Sequence, residues 1–79
     1  MKRDMDLVRA ILARVRELPL GGGPVGRVEG WGEDDIVHHL DVLEDGGFIV
    51  RRGRLEVTRL TWAGHELDDG LPPAEPYGP

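Results

Sequence analysis

Glu33, Asp34, Asp35, Asp41, Glu44 and Asp45 fall within GWGEDDIVHHLDVLEDGG, residues 30–47, a stretch without a single Lys or Arg and with a formal charge of −6. In the rest of the 79-residue chain ten basic residues meet nine acidic ones, so the net charge of −5 originates in this stretch. Carboxylates at this density suit three kinds of chemistry: metal ligation, acid–base catalysis, or docking on a cationic surface. Metal ligation is tested by the histidines. His38 and His39 are adjacent, which on a helix sets them about 100° apart, whereas two side chains chelating one ion need i, i+4 spacing. Asp34 with His38 and Asp35 with His39 have that spacing. Two ligands do not make a site, and no third is supplied, so no metal and no other cofactor is expected. The third histidine, His65, reads as a partly buried residue with a backbone partner.

Catalysis is excluded by a similar argument. A general acid and base must converge in a cleft that shifts their pKa values, and carboxylates along one convex helix face diverge. The chain has no Cys and no Ser to act as nucleophile, and Thr58 and Thr61 are explained by strand propensity and helix capping. The glycine-rich segment Gly21–Gly23 is not followed by Lys and Ser/Thr and follows no strand, so it reads as a flexible connection and not a phosphate cradle. The chain is read as non-enzymatic. Docking remains, with Glu33, Asp34, Asp35, His38, Asp41 and Asp45 as the candidate partner-binding face. Arg51, Arg52, Arg54 and Arg59 form the alternative set, able to meet nucleic-acid phosphates, helped by Lys2 and Arg3.

These residues need elements to hold them. Ile36, Val37, Leu40 and Leu43 recur at i, i+1, i+4 and i+7, predicting an amphipathic helix with that stripe inward and the acids outward. Gly32 can cap its start, acids in the first turn suit the helix dipole, and Trp31 can fold back onto the apolar face as a staple. Gly46-Gly47 ends it. Upstream, Leu7, Val8, Ile11, Leu12, Val15 and Leu18 form an apolar stripe about 140° wide, predicting a first helix capped by Asp4 with Arg9, Ala13, Arg16 and Glu17 outward. Pro19 and the glycines stop it. Val25 to Val28 reads as a short edge strand. Phe48–Val50 and the alternating Leu55–Leu60 predict a hairpin, with the basic turn Arg51-Arg52-Gly53-Arg54 at its tip. Thr61 can cap a last helix, Trp62 to Asp69, with Trp62 and Leu67 inward and Gly70 stopping it. The tail LPPAEPYGP, residues 71–79, has no apolar periodicity.

Seventy-nine residues allow one domain, read as 1–70 plus the proline-rich tail. The N-terminal sequence lacks the uninterrupted apolar run of a leader or membrane span, and with no Cys the expected compartment is the cytoplasm. An acidic balance, with pI near 5.0, argues against non-specific affinity for nucleic acid, which arises from Lys and Arg neutralising phosphates.

Helix, short strand, helix and a hairpin with a basic tip is the order of a reduced winged helix, an α+β fold. The segment IVHHLDVLEDGGFIV resembles the recognition helix and first wing strand of winged-helix regulators, with His39-Leu40, Leu43 and Gly47-Phe48-Ile49 at the matching places. MKRDMDLVRAIL, GWGEDDIVHHLDVLEDGGFI and RLTWAGHELDD, in that order, resemble the YjcQ-like family of small phage and prophage proteins. This chain departs from that pattern in its glycine before the acids and in its Gly/Pro-rich first loop. The resemblance implies a winged-helix fold and a mobile-element origin, and no activity.

A winged helix that binds DNA sets this second core helix in the major groove, where phosphates would face Asp34, Asp41 and Asp45. The reading is therefore an acidic protein-binding inhibitor that occupies a basic, nucleic-acid-handling surface of a host complex, most specifically an anti-CRISPR protein acting on an effector complex in the host cytoplasm. The alternative is a DNA-binding regulator using the arginines. Whether the chain is monomer or dimer is left open.

Overall fold

The computed structural model describes residues 5–70, so the expected cap at Asp4, the basic pair Lys2 and Arg3, and the tail at 71–79 lie outside the described residues. Six elements follow in order: α1 (Met5–Arg16), β1 (Gly23–Pro24), α2 (Glu33–Asp45), β2 (Ile49–Arg51), β3 (Glu56–Leu60) and α3 (Trp62–Gly70). The strands form one antiparallel sheet in the order β1-β3-β2. The chain is α+β, and its order is compatible with a small winged helix in which α2 is the second core helix and β2–β3 the wing. No helix among the described residues is long and apolar enough to cross a membrane.

α1 buries the stripe its spacing predicts, Leu7, Val8, Ile11, Leu12 and Val15, and packs on α2, β3 and α3. Each such side chain withdrawn from water contributes about 1.5–3 kcal/mol before chain entropy is set against it. Arg9, expected outward, is instead largely covered, its head paired with Asp6 one turn back. A long side chain can lay its methylenes along apolar surface while its charge finds a partner.

The first strand is displaced from the predicted Val25–Val28. Gly23 pairs with Val57 and Pro24 with Glu56. Gly22 (φ +86°) passes so close to β3 that a Cβ would overlap the carbonyl oxygen of Val57 and stand 2.6 Å from the Cα of Thr58. The glycines read as a flexible connection are thus the residues that let one backbone lie against another. Gly26 (φ +73°) then breaks the extended path, and Val25 and Val28 both turn into the core.

The period-two reading of Leu55–Leu60 also fails at one point. Val57 and Leu60, three apart, are both buried. The ladder pairs Val50 with Arg59 and Arg51 with Val57, leaving Thr58 as the extra residue of a bulge. A bulge shifts the side-chain phase by one, which brings both residues to the same face.

α2 ends as its glycines predict. The amide of Gly47 (φ +80°) donates to Glu44 O at 2.9 Å and that of Phe48 to Leu43 O at 2.9 Å, the paired bonds of a Schellman close. α3 begins on Thr61, whose hydroxyl oxygen accepts from the Gly64 amide at 3.0 Å and donates to Gly47 O at 2.5 Å, tying the end of one helix to the start of the next. Trp62, predicted inward, is 81% exposed, and His65, expected partly buried, is exposed as well. The cause is Gly64. Its Cα packs directly on the carbonyl of Phe48, which turns Gly64, Leu67 and Asp68 toward the body and, about 200° away around the helix, Trp62 toward solvent.

Candidate functional site, the face of the second helix and the wing

Seen down its axis, α2 buries Ile36, His39, Leu40 and Leu43. That is an i, i+3, i+4, i+7 stripe, one step around from the predicted one. Val37 is half-buried at its flank, and His39, noted in the sequence only for its i, i+4 spacing from Asp35, is 1% exposed. The buried ring is satisfied locally: its Nδ1 lies 2.7 Å from the carbonyl oxygen of Asp35, so the Nδ1–H donates back along the helix. Trp31, packed against the core, has its ring centre 6.4 Å from that of His39, where a staple residue would be. The N-cap is Gly32, with no side-chain cap bond, and Glu33, Asp34 and Asp35 occupy the first turn. Their negative charge faces the positive end of the helix dipole.

The outward side carries the acids. Asp34 is 95% exposed, Asp41 and Asp45 are exposed, and His38 and Asp35 are half-buried at the edge of the face. The predicted face Glu33, Asp34, Asp35, His38, Asp41 and Asp45 is therefore brought together on one side of one helix, with Glu44 beside it. No Lys or Arg lies on α2 to offset these charges.

What lies next to them is not visible from the chain alone. The wing folds two of its arginines onto the helix. Arg51 is paired with Asp41 and, at 3.2 Å, with Glu44, and also donates to the carbonyl oxygen of Arg54 at 2.7 Å. Its side chain is only 11% exposed. Arg54 is paired with Glu33 and reaches Asp34 at 3.6 Å, but its side chain is 58% exposed. Two arginines thus meet four of the six acids, while Asp35 and Asp45 have no ion-pair partner among the described residues. The signal in the sequence was one of charge: the basic turn RRGR follows closely on a helix that carries acids and no Lys or Arg.

The four candidate phosphate contacts are not brought together. Arg51 and Arg54 face α2, while Arg52 lies 3.2 Å from Glu56 across the turn. Arg59 belongs elsewhere, lining a groove of about 310 Å³ with Val15, Leu18 and His65 between the end of α1, β3 and α3. Ion pairs exposed as Arg54 and Arg52 are contribute about 0–1 kcal/mol and exchange readily with other charges. Arg51, covered and multiply bonded, is a fixed part of the wing.

Among the described residues no group of three or more His, Asp or Glu side chains is placed to hold a metal ion. The arrangement offers an anionic face carried on one helix and braced by the wing.

Against known proteins, a family model described as "Hypothetical protein (DUF2513)" matches residues 2–71. No curated protein and no solved structure matches the chain.

Proposed function

The chain belongs to the family of hypothetical proteins designated DUF2513, and from that premise we propose that it is a non-enzymatic protein-binding module whose α2 face docks on a basic surface of a partner. The observation that carries this reading is the pairing of Arg51 and Arg54 with the acids of α2. In a winged helix that grips DNA, the helix and the wing both turn cations toward phosphate. Here the helix has none, and two of the four arginines, Arg51 and Arg54, are directed at that helix. Each remaining carboxylate brought to a phosphate costs electrostatic energy, and the same carboxylates brought to Lys or Arg on a protein steer encounter and fix register.

The finer form of the proposal draws on the resemblance of residues 1–69 to the YjcQ-like phage and prophage proteins. A mobile-element origin makes the partner a nucleic-acid-handling complex of the host cytoplasm. The sharpest candidate is a CRISPR effector complex, inhibited because the acidic face occupies the surface that holds nucleic acid.

The test is binding of target DNA by a panel of purified effector complexes, followed by fluorescence anisotropy with and without this protein. The expected result is that one complex loses DNA binding, and regains it when the protein carries Asp34→Lys and Asp45→Lys. Those two positions are chosen because Asp34 meets only the exposed Arg54, at 3.6 Å, and Asp45 has no ion-pair partner among the described residues. Duplex DNA bound by the protein itself, with affinity falling steeply as salt rises and lost in Arg52→Glu/Arg54→Glu, would overturn the proposal in favour of a DNA-binding regulator.

A further inference from the structure

Resting on the acidic-face reading, we infer that the partner's contact segment places an apolar side chain between basic ones, and that this side chain seats in a groove beside the start of α2. The groove has a volume of about 560 Å³ and is lined on its apolar side by Val28, Trp31, Ile36 and Leu55. Glu29 and Glu33 stand among its polar lining, with one cation, Arg27. Concave sites of a few hundred Å³ with an apolar floor and a few charged groups are where an anchoring side chain gains most by leaving water.

The groove is built by the loop between β1 and α2. Gly26 (φ +73°) and Gly30 (φ +90°) turn the backbone where an L side chain would be strained, and the Trp31 amide closes a turn by donating to Val28 O at 3.1 Å. Trp31 is held against the core, as is Leu55 just before β3. Both are half-buried, so each keeps apolar surface in reach of a visitor.

Charge selects the visitor. Glu33 lines the groove and Asp34 follows it on the exposed side of α2. Arg54, which meets both acids, is exposed, and a cation of the partner can take its place at little cost. Carboxylates at the rim orient a basic segment, but interface affinity comes mainly from a few anchors buried in pockets. The acidic face and the groove are contiguous through Glu33, so one short segment reaches both.

The test uses the full chain, labelled with 15N, and two capped peptides with the sequences Lys-Lys-Leu-Phe-Lys-Lys and Lys-Lys-Gly-Gly-Lys-Lys, titrated at low salt. The Leu-Phe peptide is expected to bind about tenfold tighter, shifting the amides of Val28 and Leu55 and the indole of Trp31. In Leu55→Lys, whose fold is checked from the same spectrum, that preference is expected to vanish while weak binding of both peptides persists. Equal affinity of the two peptides, with shifts confined to Asp34, His38, Asp41 and Asp45, would overturn the groove and leave the acidic face standing. Binding of neither peptide would overturn both.

Discussion

The guanidinium of Arg51 is paired with the carboxylate of Asp41, fastening the first strand of the wing to the outward side of α2. Because that guanidinium also meets Glu44 and the carbonyl of Arg54, and is largely covered, the wing's position is part of the fold. The covering has a cost, since its Nε is buried without a hydrogen-bond partner among the described residues.

Burial therefore ranks the wing arginines. Arg51→Ala removes a covered side chain with its two ion pairs and its bond to a carbonyl, and is expected to lower stability by about 1–3 kcal/mol. Arg54→Ala removes an exposed pair and is expected to change it by no more than about 0.5–1 kcal/mol. Urea midpoints of the two variants make the comparison, and equal losses would show that coverage does not set the strength of these pairs.

Gly64 makes a second prediction. A Cβ there would overlap the carbonyl oxygen of Phe48 and stand 3.0 Å from its carbon, both backbone atoms. Ala improves helix propensity by about 1 kcal/mol over Gly, yet Gly64→Ala is expected to destabilise by about 2–3 kcal/mol because α3 must move off the sheet. Gly70→Ala is the control, since among the described residues nothing lies within 4 Å of its added Cβ. Calorimetric melting temperatures should fall for the first and stay level for the second.

The neighbouring histidines should behave differently. His39→Ala empties a fully covered site and is expected to cost about 2 kcal/mol or more, whereas His38→Ala, at the edge of the face, should cost less than about 1 kcal/mol. The bond to Asp35 O requires the proton on Nδ1. A 15N spectrum of the imidazole nitrogens at neutral pH should show that tautomer for His39, and the opposite tautomer would remove the hydrogen bond from the account.

The two tryptophans are separable by solvent access. Trp62, exposed on α3, should be quenched freely by acrylamide, and Trp62→Ala should leave stability within about 0.5 kcal/mol. Trp31, half-buried and packed against the core, should be quenched less than Trp62, and Trp31→Ala should cost about 1–2 kcal/mol. Equal quenching of the two, read in single-tryptophan variants, would contradict the staple.

By itself the sequence determined whatever depends on neighbours along the chain. The apolar stripe of α1, the extent of α2 with its glycine at each end, the cap at Thr61, the hairpin and the segregation of acid from base all follow from spacing and local hydrogen bonding. Tertiary contact decided what local rules leave nearly degenerate. On α2 both Val37 and His39 border the same apolar stripe, and a small rotation exchanges them. The histidine went inward because it can satisfy its own Nδ1–H on the preceding turn beneath Trp31. At Thr58 a bulge reset the strand's phase so that Val57 and Leu60 share a face, and at Gly22 two backbones met more closely than any side chain allows. The candidate face shows the same division. Its acids were countable from the chain, but only folding the hairpin back along the helix brought Arg51 and Arg54 to them, because ion pairs depend on distance in space, not on separation in sequence.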